Sequence, residues 1–218
     1  MKKLLIVIFC IICLNTTAIA STKDNLLNGY FGVSNDNVVQ FKDLDEAVWA
    51  KEPIEYLASY GIIAGYDDNF YPMNNITRSE FMKILVLSYG VYDEGATSDF
   101  ADSTPTDWHY PYISTAKKLG ITNGVNEFNF GVQMPLSREE MATLAHKMAH
   151  FAGTEFDETT VAGFADMTEI SDYAIKSVNS LKHKGIIAGD LDNRFNPTAL
   201  ATRAEACKII YLLLNLNV

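Results

Sequence analysis

A four-residue stretch written three times constrains this chain more than any other feature. Thr77-Arg78-Ser79-Glu80 returns as Ser137-Arg138-Glu139-Glu140 and as Thr202-Arg203-Ala204-Glu205. Each copy sets a hydroxyl residue three places before a glutamate and opens an apolar run of helical period. In such a capping box the hydroxyl accepts from the N3 backbone N–H, and the glutamate accepts from the N-cap N–H. An apolar residue precedes each cap (Ile76, Leu136, Ala201) and another stands at N4 (Phe81, Met141, Ala206), as a hydrophobic staple requires. The fold must therefore accommodate three helix starts of one kind.

The first helical position is arginine each time. A cation there faces the positive end of the helix macrodipole, at a cost of about 0.3–1 kcal/mol. Paying it three times at one register points to a charge with a role that folding does not require. A helix N-terminus presents unpaired N–H groups to an anion, and a guanidinium beside them adds a planar fork suited to carboxylate or phosphate. The competing expectation is an ordinary ion pair with one of the chain's many acids.

The arginine-headed helix closes a longer unit, repeated three times. Phe41-Lys42-Asp43 returns as Phe100-Ala101-Asp102 and Phe164-Ala165-Asp166. Trp49 and Trp108 follow the first two phenylalanines by eight residues, and Tyr173 follows the third by nine. An amphipathic helix comes next in each copy, with Pro53 and Pro111 in first turns that tolerate a missing N–H. Each helix is predicted to stop at a left-handed glycine followed by isoleucine: Gly61-Ile62, Gly120-Ile121 and Gly185-Ile186. A second glycine stands four residues on (Gly65, Gly124, Gly189) and leads into a turn-rich loop. The loops through Phe70-Tyr71-Pro72 and Phe195-Asn196-Pro197 read alike, while the one through Phe128 and Phe130 diverges. The run from Cys207 to Leu216 is apolar nearly all round, which predicts a buried, central helix.

Charge and leader bound the partners. The net charge is −10, and a chain without Lys2 and Lys3 is two units more negative. Its overall field will not draw nucleic acid or an anionic membrane, so any anion must be bound locally. Residues 1–20 carry two lysines, an apolar run and Ala18-Ile19-Ala20, the pattern of a secretory signal peptide, and 21–40 read as a polar leader. Cleavage after Ala20 leaves Cys207 alone, a buried thiol with no disulfide partner.

Phenylalanine-x-aspartate, tryptophan, Gly-Ile-x-x-Gly, a phenylalanine–proline loop and a Thr-Arg-Ala-Glu-like helix start together resemble the S-layer homology (SLH) domain. Copies at 41–92, 100–153 and 164–218 cover nearly all of the mature chain. The resemblance implies an all-α fold of three helix-loop-helix repeats, pseudo-threefold around a central three-helix bundle. It implies non-covalent binding of cell-wall polysaccharide, a secondary wall polymer carrying ketal-linked pyruvate, in grooves between repeats. The motif arginines carry over to Arg78, Arg138 and Arg203. No cofactor, metal or nucleic acid is implied, nor any membrane after signal cleavage; the protein is expected at the cell wall or surface layer.

The residues fit that chemistry. A pyruvyl ketal displays a carboxylate that arginine grips bidentately. Trp49, Trp108 and Tyr173 offer flat faces for a sugar ring, or else pack in the core. Asp43, Asp102 and Asp166 could hold a hydroxyl or the arginine fork, or cap the turn after the phenylalanine. Gly65, Gly124 and Gly189 allow close approach of a ligand to the backbone, or simply make a turn. Repeat 2 departs from the pattern in its helix start and loop, and repeat 3 has tyrosine for tryptophan, which ranks Arg78 and Arg203 above Arg138. His146 and His150, four apart, read as a solvated helix edge rather than metal ligands. The expected function is a stand-alone wall-binding anchor with no catalytic domain. A structural subunit contacting surface-layer proteins is the alternative, and a wall-glycan enzyme a distant third, since no nucleophile–base pair stands out.

Overall fold

The computed structural model describes residues 39–157 and 163–216. The expected signal peptide and nearly all of the polar leader lie outside them. The described residues are all α: α1 (Lys51–Ser59), α2 (Arg78–Ser88), α3 (Tyr110–Lys118), α4 (Arg138–Phe151), α5 (Asp172–His183) and α6 (Arg203–Leu214). Two 3-10 turns, Leu44–Ala50 and Met167–Glu169, precede α1 and α5. Extended pairing among the described residues is confined to isolated bridges.

Local sequence sets both ends of these helices. All three capping boxes form, with Thr77, Ser137 and Thr202 accepting from the amides of Glu80, Glu140 and Glu205, and each glutamate bonding back. The staple residues are buried in every copy, the Ala201–Ala206 pair included. Gly61, Gly120 and Gly185 have φ of +67°, +73° and +72°. The amides of Ile62, Ile121 and Ile186 donate back to the carbonyls of Leu57, Ala116 and Leu181, which completes a Schellman motif each time.

Packing then crosses the repeat boundaries. α2 packs on α3, α4 on α5, and α6 returns to pack on α1. The arginine-headed helix of each repeat thus covers the first helix of the next one, and the third covers the first. The three arginine-headed helices also touch one another. Their buried faces hold Leu85, Ala145 and Ile210, all at 0% exposure. Cys207 is fully buried among them, and burial pushes its thiol pKa up to about 12, so it is not a nucleophile.

The segments before these helices tie the same cycle with backbone. The Ile76 amide donates to the Ala201 carbonyl at 3.0 Å, Ala201 to Leu136 at 2.8 Å, and Leu136 to Ile76 at 3.0 Å. The N1 amides of Arg78, Arg138 and Arg203 donate to Met134, Ala199 and Asn74 at 2.9–3.0 Å. The expectation of helix N-termini with free N–H groups for an anion is therefore overturned. At N1 those donors belong to the neighbouring repeat, and the cap and N3 donors to the capping box.

Candidate functional site

The arginines follow the cycle as well. Arg78 Nε donates to the Phe130 carbonyl at 3.1 Å, and its Nη1 lies 2.9 Å from Glu140 Oε1. Arg138 Nε donates to the Phe195 carbonyl at 2.8 Å, and its Nη1 to Glu205. Arg203 Nε donates to the Phe70 carbonyl at 3.0 Å, and its Nη1 lies 3.7 Å from Glu80. Each guanidinium also sits over the ring of that phenylalanine, 4.4–5.2 Å from its centroid. Every arginine thus reads the loop of the next repeat and the capping-box glutamate of its helix. The idea that folding does not need this charge is corrected: it offsets the dipole penalty by joining repeats. Arg78 is the most enclosed, with its side chain 6% exposed against 19% for Arg138 and 18% for Arg203.

The aspartates prepare that carbonyl. Asp43 accepts from the amides of Phe70 and Tyr71, and Asp102 from Phe130, Gly131 and Val132. Asp166 accepts from Phe195 and Asn196. None of the three caps the turn after its own phenylalanine or meets the arginine fork. Each pins its loop, so that the loop phenylalanine turns its carbonyl to the neighbouring arginine. Burial alone would raise the Asp102 and Asp166 carboxyls, but the loop amides outweigh it and hold both below the ordinary range. A lowered folded pKa contributes stability above the unfolded value, about 3.9, and loses it as pH falls through the folded one. The melting temperature should therefore be level between about pH 7 and 5 and fall below about pH 4. Asp102→Asn with Asp166→Asn should lower the plateau and flatten that fall, as a pH series of melts would show.

The second glycines let the loop close. A Cβ on Gly65 would stand 2.2 Å from the Asn69 carbonyl oxygen and 2.5 Å from the Phe41 ring, and one on Gly124 would stand 2.4 Å from the Asn129 oxygen. At Gly189 the obstruction is the Asn193 backbone, at 2.8 Å. Close backbone approach within the repeat accounts for all three.

The aromatics are not core. Trp49 is 47% exposed, Trp108 52% and Tyr173 55%. Trp49, in the 3-10 turn that precedes α1, walls a groove of about 960 Å³ whose other sides include Arg138, Gly189, Asp190, Arg194 and Lys208. One groove thus takes its aromatic from repeat 1, its arginine from repeat 2 and its glycine from repeat 3. The Lys208 ammonium lies 5.1 Å from the centre of the Trp49 ring. The same arrangement recurs at Trp108, where Lys83 stands 5.9 Å over the ring. Neither lysine is ion-paired among the described residues. The groove at Trp49 is lined by Arg138, which the sequence ranks below Arg78 and Arg203, while Arg78 is the most enclosed of the three.

The family model described as the S-layer homology domain matches this chain three times, over 40–82, 99–142 and 163–207. The chain belongs to the S-layer homology family. It is 36% identical over 81% of its length to the exoglucanase XynX of Acetivibrio thermocellus, of which it covers 16%. It is 36% identical over 80% of its length to an amylopullulanase of Thermoanaerobacterium thermosulfurigenes, of which it covers 9%. An S-layer protein of Bacillus thuringiensis subsp. finitimus matches at 28% identity over 78% of the chain and 21% of that protein. The chain therefore spans about a fifth or less of each of these relatives. S-layer homology domains are binding modules shared by S-layer proteins and surface enzymes.

Lys83 and Lys208 are the residues of this S-layer homology protein that sequence reasoning missed. Their signal was present: both stand five places after the motif arginine, where repeat 2 has Thr143. His146 is also corrected. It is buried at 5% exposure against the Phe156 ring, with Nδ1 3.3 Å from Ser177 Oγ, because α5 covers that face of α4. Among the described residues no group of three or more His, Cys, Asp or Glu is placed to hold a metal, and no helix is long and apolar enough to cross a membrane.

Proposed function

We propose that this chain anchors to the cell surface by binding a carboxylate-bearing wall polysaccharide, with ketal-linked pyruvate as its acidic group. The observation that carries the reading is the groove at Trp49: an exposed indole with an unpaired ammonium above it, and Arg138 and Arg194 alongside. A sugar ring lies on the indole face while Lys208 and the outer edge of the Arg138 fork meet the carboxylate. Arg138 is paired with Glu205 and Arg194 with Glu169, but Lys208 has no ion pair among the described residues, so the groove keeps an uncommitted cation on a chain whose net charge is −10. That contrast is what a local anion site on an acidic protein requires. The cyclic arginine contacts hold the groove walls, which come from three repeats, in fixed relation.

Pull-down with extracted, protein-free wall polymer, before and after mild acid removal of pyruvate, tests it. Binding should be strong before treatment and lost after. Full retention on the depyruvylated polymer would remove the anion site. Moderate salt should weaken binding only modestly, since no broad basic surface drives it. Capture of surface-layer protein with no affinity for the polymer would instead favour the structural-subunit alternative.

A further inference from the structure

By the cyclic contacts, Trp108 and Tyr173 hold positions that correspond to Trp49 in its groove, and the three positions are not equally equipped. The helix starting at Arg203 faces Trp49 with Ala204 at its second position, and the helix starting at Arg78 faces Trp108 with Ser79 there. The helix starting at Arg138 faces Tyr173 and has Glu139 at that position. Glu139 is buried, 5% exposed as a residue. Its Oε1 accepts from the Tyr173 hydroxyl at 3.0 Å and the Ser171 hydroxyl at 2.8 Å, and its Oε2 from the Ser171 amide at 3.0 Å. Repeats 1 and 2 carry Ala47 and Thr106 where repeat 3 has Ser171, two residues before the aromatic.

Charge follows the same division. In the Trp108 groove Arg203 and Lys83 stand against Glu80. In the Tyr173 groove Arg78 stands against Glu140 and Glu139, and Thr143 replaces the lysine. The arginine of that groove is also the most enclosed of the three, with its side chain 6% exposed. A carboxylate approaching Tyr173 meets a protein carboxylate already seated on the aromatic's polar edge, and a local excess of negative charge behind it.

We propose that Glu139 is a built-in carboxylate that occupies the third groove, so that this chain takes an anionic sugar in the Trp49 and Trp108 grooves and excludes it from the Tyr173 groove. The inference rests on the wall-polymer reading above and deepens it, because it names the residue that decides which grooves bind. Small residues at this register leave a groove open, and the acid closes it.

The test counts ligands on the full chain. A synthetic methyl glycoside bearing a pyruvyl ketal is added to saturation, with native mass spectrometry giving the number bound and tryptophan emission reporting the two grooves that hold the chain's 2 tryptophans. The wild type should bind two, both accompanied by a change in emission. Glu139→Ala, as in repeat 3, and Glu139→Ser, as in repeat 1, should bind three, with the third silent in tryptophan emission. Variants that melt cooperatively and stay at two overturn the inference. Should neither variant fold, the wild-type count decides, since two supports the inference and one or three overturns it. A wild type that binds none overturns the wall-polymer reading itself, a result distinct from three.

Discussion

Removing residues 164–218 is expected to unfold what remains of the chain rather than leave two intact repeats. The deletion takes away α6, on which α1 packs, and α5, which covers α4. α6 alone buries Ile209, Ile210, Leu213 and Leu214. Each such side chain contributes about 1.5–3 kcal/mol when fully buried. Four of them account for about 6–12 kcal/mol, as much as the whole stability of a typical domain. The backbone cycle opens too: the Ile76 amide loses the Ala201 carbonyl, the Leu136 carbonyl loses the Ala201 amide, and Arg138 loses Phe195 and Glu205. Of the three inter-repeat pairings only α2 on α3, with Arg78 on Glu140, survives. A fragment covering 41–153 should show reduced helicity, no cooperative melt, and association through exposed apolar faces in ultracentrifugation. A monomeric fragment with a sharp thermal transition would mean that the repeats are independent units and that the cycle adds little.

What could be read in the sequence was what lies close along the chain. A capping box spans three residues and a Schellman glycine answers to a carbonyl five residues back, so Thr77, Ser137 and Thr202 and the glycines at 61, 120 and 185 announce themselves. The resemblance to a known family supplied the class of fold. The partner of each arginine was not legible, because Arg78 meets Glu140 across 62 residues and Arg138 meets Glu205 across 67. Both ends of that pair stood in the repeated motif as Arg and Glu. The sequence assigned the glutamate wholly to its cap, yet a carboxylate has two oxygens, and in repeat 1's partner Oε2 serves the cap while Oε1 takes the arginine. Likewise the repeat along the chain is not the packing unit, since each arginine-headed helix covers the first helix of the next copy. That is why His146 looked like an edge residue when only its own helix was considered.

Arg78→Gln is expected to lower stability substantially, and the ordering among the three arginines gives the sharper test. Breaking a fully buried ion pair costs roughly 3–5 kcal/mol, mostly for the charge left behind. Here the stranded group is Glu140, whose side chain is 27% exposed, so water reaches it and the low end of that range, about 3 kcal/mol, applies. For a chain of this size that corresponds to roughly 6–12 °C in melting temperature. Arg138→Gln should cost somewhat less, because both partners are partly open at 19% and 25% exposure. Arg203→Gln should cost least, since its carboxylate partner stands 3.7 Å away and is 38% exposed. Arg78→Lys should recover only part of the loss: one ammonium cannot serve the Phe130 carbonyl and Glu140 from the two separate nitrogens that the guanidinium uses. A double-mutant cycle of Arg78→Gln with Glu140→Gln separates the pair from side-chain packing and should show coupling of about 1 kcal/mol or more. Equal melting temperatures for wild type and Arg78→Gln would show that the ion pair does not hold the repeats together, and would return the arginine to the role of a charge kept for a ligand.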